Sequence, residues 1–137
     1  MLLGTESSFP WSAGSVQKFG ETHVKSGGVF MDTIIQVTTT GDSREMMEEI
    51  GRAIVERRLA SSAQISGPVK SIYWWKGRIE ETEEWVCILR STKAHYEEIQ
   101  RRIRDLHSYD VPEIISVEIG RALPDYERWV RDETGKS

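Results

Sequence analysis

The chain has 137 residues, a formal net charge of −4 and a single cysteine. Its length suits one domain with an ordinary core, and its acidic balance argues against broad attraction to nucleic acid or anionic lipid. With Cys87 alone no intrachain disulfide can form, which suits a reducing, cytoplasmic setting, and no apolar run approaches the ~18–20 residues of a membrane span.

Residues 1–31 are rich in Gly, Ser and Thr, with isolated Trp11, Phe19 and Phe30 and no usable period. Such a stretch buries too little apolar surface to offset its ordering entropy, so a disordered N-terminal extension is expected. It also lacks the basic region and continuous apolar core of a signal peptide. Met31, just ahead of the first strand signal, is a candidate start, and His23 has no role.

Thr33 to Thr39 is β-branched except at Gln36 and predicts a strand. Asp42 with Glu45 three residues on is a capping-box pattern that opens a helix. Met46, Met47, Ile50, Ala53 and Ile54 then recur at helical spacing, with Glu48, Glu49, Arg52 and Glu56 opposite. Closure is expected near Leu59–Ala60. The methionine pair reads as core filling.

Ser62 to Ile65 reads as a short strand broken at Gly67–Pro68. A long hairpin follows: Ile72-Tyr73-Trp74-Trp75, a break at Lys76-Gly77-Arg78, and a return from Glu84 to Leu89. Gly77 supplies the positive φ a tight turn needs. The return strand places Glu84, Val86 and Ile88 on one face and Trp85, Cys87 and Leu89 on the other. Both faces are mostly apolar, which predicts a sheet covered on both sides. Two helices cover one side, so the second points to a partner subunit.

After Thr92, a helix with the stripe Tyr96, Ile99, Ile103 and Leu106 carries Arg101, Arg102 and Arg104 in its last turns, favourable at the negative end of the dipole. These arginines read as a solvated face rather than an anion site. The loop His107 to Pro112 leads to a last strand, Ile114–Ile119. Leu123 to Val130 forms a short helical element anchored by Tyr126 and Trp129, and residues 133–137 should fray. The order β-α-β-β-α-β is the α+β, ferredoxin-like plan, with one domain over 32–132.

By residue types alone the chain names no reaction. It has no phosphate-cradling glycine loop and no nucleophile elbow. His95 and His107 share no metal-ligand spacing, and Cys87 lies mid-strand as an inert thiol. The acidic run Glu80, Glu81, Glu83, Glu84 reads as a solvated edge, with a hard-cation or copper contact as the sharper alternative.

Leu59–Ile65 (LASSAQI), Ser71–Glu84 (SIYWWKGRIEETEE), His107–Ile114 (HSYDVPEI) and the Tyr126–Trp129 pair closely resemble the CutA family of divalent-cation tolerance proteins, over roughly Asp32 to Asp132 in unbroken order. The resemblance implies a ferredoxin-like fold assembled as a tight homotrimer, similar in plan to the PII proteins, with no settled catalytic activity. It also implies a partial metal site. Ser62 stands where many relatives carry a cysteine, and Thr38 where some carry another. Glu84 matches the family's glutamate and His107 its loop histidine, within His107-Ser108-Tyr109 in place of His-Pro-Tyr. One imidazole and one carboxylate suit weak binding of copper(II) or another divalent cation better than tight copper(I) capture. The bland account has His107 and Tyr109 fastening the loop at a subunit boundary. An interface pocket lined by Tyr73, Trp75 and Tyr109 would serve a PII-like small-ligand trimer, or an enzyme for which no matched acid and base exist. An RNA-binding module of the same topology needs aromatics after Lys76-Gly77, where Arg78-Ile79-Glu80-Glu81 stands. Neither nucleic acid nor membrane is an expected partner.

Overall fold

The β-branched run after Thr33 forms the central strand of the computed structural model, which describes residues 32–135. This strand, β1 (Ile34–Gly41), alternates buried Ile35, Val37 and Thr39 with half-buried Gln36, Thr38 and Thr40. The extension expected over 1–31 lies outside the described residues.

Helix α1 (Arg44–Glu56) opens on Ser43, one residue later than the Asp42–Glu45 pattern predicts. The Ser43 hydroxyl accepts from the Met46 N–H at 3.1 Å, satisfying one of the free donors of the first turn. The helix also closes earlier than expected. Leu59 N–H reaches back to Ile54 O and Arg58 N–H to Val55 O, a Schellman closure built on Arg58 at φ 62. Leu59 and Ala60 are nonetheless buried, at 6% and 1% exposure, because the turn folds them under the helix into the core.

β2 (Ser62–Trp75) and β3 (Arg78–Thr92) form one long antiparallel ladder. The break expected at Gly67–Pro68 is a bulge inside β2 instead, where the register shifts between Ser66 and Val69. Pro68 has no N–H to give a ladder, and a bulge is where a strand tolerates that. Gly67 lies so close to the Trp85 ring that a Cβ would sit 2.7 Å from its Cδ1. The turn is a two-residue loop, Lys76 at φ 52 and Gly77 at φ 82, the left-handed pair that matches strand twist.

After one 3₁₀ turn over Lys93–His95, α2 (Tyr96–Leu106) buries Ile99 and Ile103 fully. The chain returns through β4 (Ile114–Glu118) and ends in α3 (Pro124–Glu133). The sheet order is β2-β3-β1-β4, antiparallel throughout. It is an α+β fold with α1 and α2 over one core, centred on Val37, Met47, Ile50, Leu89, Ile99 and Ile103.

On the other face Ile115 and Val117 of β4 are 51% and 56% exposed, so within one chain this face is open. The tip of the β2–β3 arm also presents Ile72 at 60%, Trp74 at 71% and Ile79 at 56%. Of the fraying expected over 133–137, residues 133–135 are anchored instead, and 136–137 lie outside the described residues. Gly135 N–H donates to Arg58 O at 2.7 Å, Glu133 pairs with the Arg58 guanidinium, and buried Thr134 donates to Val130 O. The left-handed turn after α1 supplies the first two of those partners, and α3 itself the third. Among the described residues no helix is long and apolar enough to cross a membrane.

Candidate functional site

His107 caps the C-terminus of α2, its N–H donating to Ile103 O, and its ring is buried at the end of β1. Two hydrogen bonds fix the tautomer. Nδ1 accepts from the Tyr109 N–H at 3.1 Å, so Nε2 carries the proton and donates to Thr40 O at 2.7 Å. Gly41 makes room: a Cβ there would lie 3.3 Å from Nε2 and 2.6 Å from the Met46 methyl. The Met46 sulfur in turn accepts from the Ser108 N–H. The loop is therefore held to both β1 and α1.

Tyr109 packs its ring 4.8 Å from that of His107 and donates its hydroxyl to Glu84 Oε2 at 2.8 Å. Ser71 donates to the other carboxylate oxygen at 2.7 Å. Glu84 is 8% exposed, yet both its oxygens have a donor. Burial, and then the hydrogen bond to and repulsion from the Glu84 carboxylate, push the Tyr109 phenol well above its ordinary range. The result is a clamp joining the loop after α2 to the base of the arm.

The remaining candidates fall at different places. Tyr73 and Trp75 follow Ser71 at alternate positions of β2 and so share its face. Tyr73 is close enough to act electrostatically on Tyr109. Trp75 stands at the tip, with the Lys76 ammonium 5.6 Å from its ring centroid. Ser62 pairs with Arg90 whereas Glu84 pairs with Val69, so roughly 20 Å of ladder separates Ser62 from Glu84 within a chain. Thr38 pairs with Ile88 and Ile115 and is half-buried. Cys87 is fully buried, and burial pushes its thiol up to about 12.

This donor set does not fit a resident metal ion in one chain. Neither His107 nitrogen has a free lone pair, and Glu84 is occupied by two hydroxyls. Among the described residues no three His, Cys, Asp or Glu side chains cluster as ligands. Ser71 was missed in the sequence. A two-residue turn at Lys76–Gly77 sets Ser71 opposite Thr82 and diagonal to Glu84, so the register held the signal.

A family model described as CutA1 divalent ion tolerance protein matches residues 35–133. The divalent-cation tolerance protein CutA of Pyrococcus horikoshii is 36% identical over 103 residues, covering 75% of this chain and 100% of that protein. The Thermotoga maritima protein of the same name is 33% identical over 99 residues, covering 72% of this chain and 97% of that one. Among solved structures, the divalent cation tolerance protein (Cut A1) of Thermus thermophilus superposes with a TM-score of 0.73 at 33% identity, over 74% of this chain and 99% of that one. CutA1 from Oryza sativa gives 0.74 at 25% identity, over 77% and 97%. From β1 through α3 the match takes in each described strand and helix, and the chain belongs to the CutA1 divalent ion tolerance family.

Proposed function

We propose that the chain acts in divalent-cation tolerance as a non-catalytic, cytoplasmic homotrimer, a ferredoxin-like sandwich assembled on the PII plan. The exposed arm carries this reading. Ile72, Trp74, Trp75 and Ile79 are 56–71% exposed on a ribbon already paired along its length. Ile72, Trp74 and Ile79 share one face of the ribbon and Trp75 the other, and large apolar side chains clustered in the open in this way usually mark an interface. Burial at ~25 cal/mol per Å² rewards covering it, and obligate interfaces commonly exceed ~2,000 Å². Ile115 and Val117 are a second exposed apolar pair, on the open sheet face. Native mass spectrometry at low micromolar concentration should show three copies, and Trp74→Lys with Trp75→Lys should shift the population to monomer. A stable monomer of the parent chain overturns the assembly.

Metal is a visitor in this proposal. Copper(II) or another divalent cation reaching Glu84 and His107 competes with Tyr109, Ser71 and the Tyr109 N–H for their lone pairs. Affinity should be micromolar or looser, no more than about 8 kcal/mol. Calorimetry on the parent and His107→Ala tests this. Equal copper(II) binding by both would remove His107 from the site.

A further inference from the structure

Beside the clamp, α2 and the loop that follows it enclose an open groove of about 550 Å³, within the size range of small-molecule sites. Arg101 and Arg104, one helical turn apart, both line it. Neither forms an ion pair among the described residues, although Glu97 and Asp105 lie four positions either side of Arg101. Pairs of that kind would contribute only ~0.3–0.5 kcal/mol on an exposed helix, so those carboxylates do not keep the guanidinium groups from a ligand. The floor is rigid. His107 is tied through both ring nitrogens, and Tyr109 is tied through its hydroxyl. That half of the lining is preorganised, which lowers the ordering cost of binding, while the exposed Arg101 and Arg104 side chains are ordered by the ligand.

Charge selects the ligand class. The two arginines face three carboxylates, Glu97, Asp105 and Asp110, so the lining sums to −1. A multiply charged anion gains little net attraction there, and a bare cation meets two guanidinium groups. A molecule carrying both signs is complementary to both sets. We propose that this groove binds a small zwitterion, its phosphate or carboxylate between Arg101 and Arg104 and its ammonium group toward Asp110. The site is remote from Ser62 and shares His107 and Tyr109 with the clamp, so the test is run without metal.

The test is an amide NMR titration of the full chain, in chelator, with phosphoethanolamine, inorganic phosphate and ethanolamine, each to about 10 mM. Phosphoethanolamine should give saturable shifts confined to residues 96–110, and the two single-headed probes should bind at least about tenfold more weakly. Arg101→Ala with Arg104→Ala, exposed positions where alanine preserves the helix, should weaken phosphoethanolamine about tenfold or more. Asp110→Asn should weaken phosphoethanolamine and leave the phosphate response unchanged. Absence of saturable shifts overturns the site, as does an unchanged titration in the double variant. Phosphate binding as tightly as phosphoethanolamine overturns the zwitterion assignment.

Discussion

Replacing Tyr109 with Phe removes one oxygen atom from the clamp and leaves the ring packing on His107 in place. The lost bond runs from a phenol to a carboxylate that is 8% exposed, at 2.8 Å. Hydrogen bonds to charged groups are worth ~1.5–3 kcal/mol net when a partner is deleted. Ser71 still donates to the other oxygen, which keeps the carboxylate partly satisfied, so about 1–2 kcal/mol of destabilisation is expected. At fixed protein concentration this corresponds to a Tm lower by about 4 °C or more. Urea unfolding should show a lower midpoint with an unchanged slope, since no additional surface is exposed. Ser71→Ala removes the donor to the other oxygen and should cost a similar amount. The two changes together should exceed their sum, because a carboxylate with neither donor is left nearly buried. If Tyr109→Phe moves stability by less than about 0.5 kcal/mol, the hydroxyl–carboxylate bond holds nothing and the clamp is wrong.

The raised phenol of Tyr109 makes the folded state bind more protons than the unfolded one above the ordinary tyrosine range near ~10. Its contribution is whole below that range and is lost as pH rises through the folded value, so Tyr109→Phe should flatten the alkaline fall in Tm. Cys87, with its thiol at about 12, should react with iodoacetamide at pH ~8 about a thousandfold more slowly in native than in unfolded protein; labelling at the unfolded rate would place it at the surface. Ser62→Cys and His107→Ala should change copper affinity independently, adding within ~0.5 kcal/mol, since roughly 20 Å of a shared ladder separates Ser62 from Glu84; calorimetric coupling above that would bring the two together across a subunit boundary. A chain starting at Met31 should melt within about 2 °C of the parent, and a larger loss would show that the first thirty residues dock on the body.

Element order was legible because each element announces itself locally. The β-branched run at β1 and the apolar spacing of α1 and α2 are properties of short windows. The Lys76–Gly77 turn is likewise a two-residue event, and it fell where the sequence places it. Misread features depend on residues distant in sequence or on one atom's reach. Ser43 rather than Asp42 caps α1 because its hydroxyl meets the Met46 N–H. The bulge at Gly67–Pro68 persists as strand because β3 holds both flanks in register and Trp85 lies over the glycine. The C-terminal end is fastened by Arg58, 75 residues away from Glu133. Within the acidic run the side chains are alike by type. Only the fold separates Glu81, exposed beside Lys70, and Glu80, beside Arg78, from Glu84, turned inward to Ser71 and Tyr109.

That inward turn links two features that the sequence presents separately. Glu84 lies where β1 has ended and the β2–β3 ladder continues as the arm, since Gly41, the last residue of β1, pairs with Trp85. Ser71, its other partner, leads directly into Tyr73 and the tip tryptophans. Tyr109 is therefore a strut between the loop after α2 and the root of the apolar arm. A cation at Glu84, as proposed above, would compete there with the Tyr109 and Ser71 hydroxyls at the root of the arm. Under the proposed function, cation occupancy and the integrity of the clamp would be linked, by the cation's differential affinity for the clamped and released states and by no more than that.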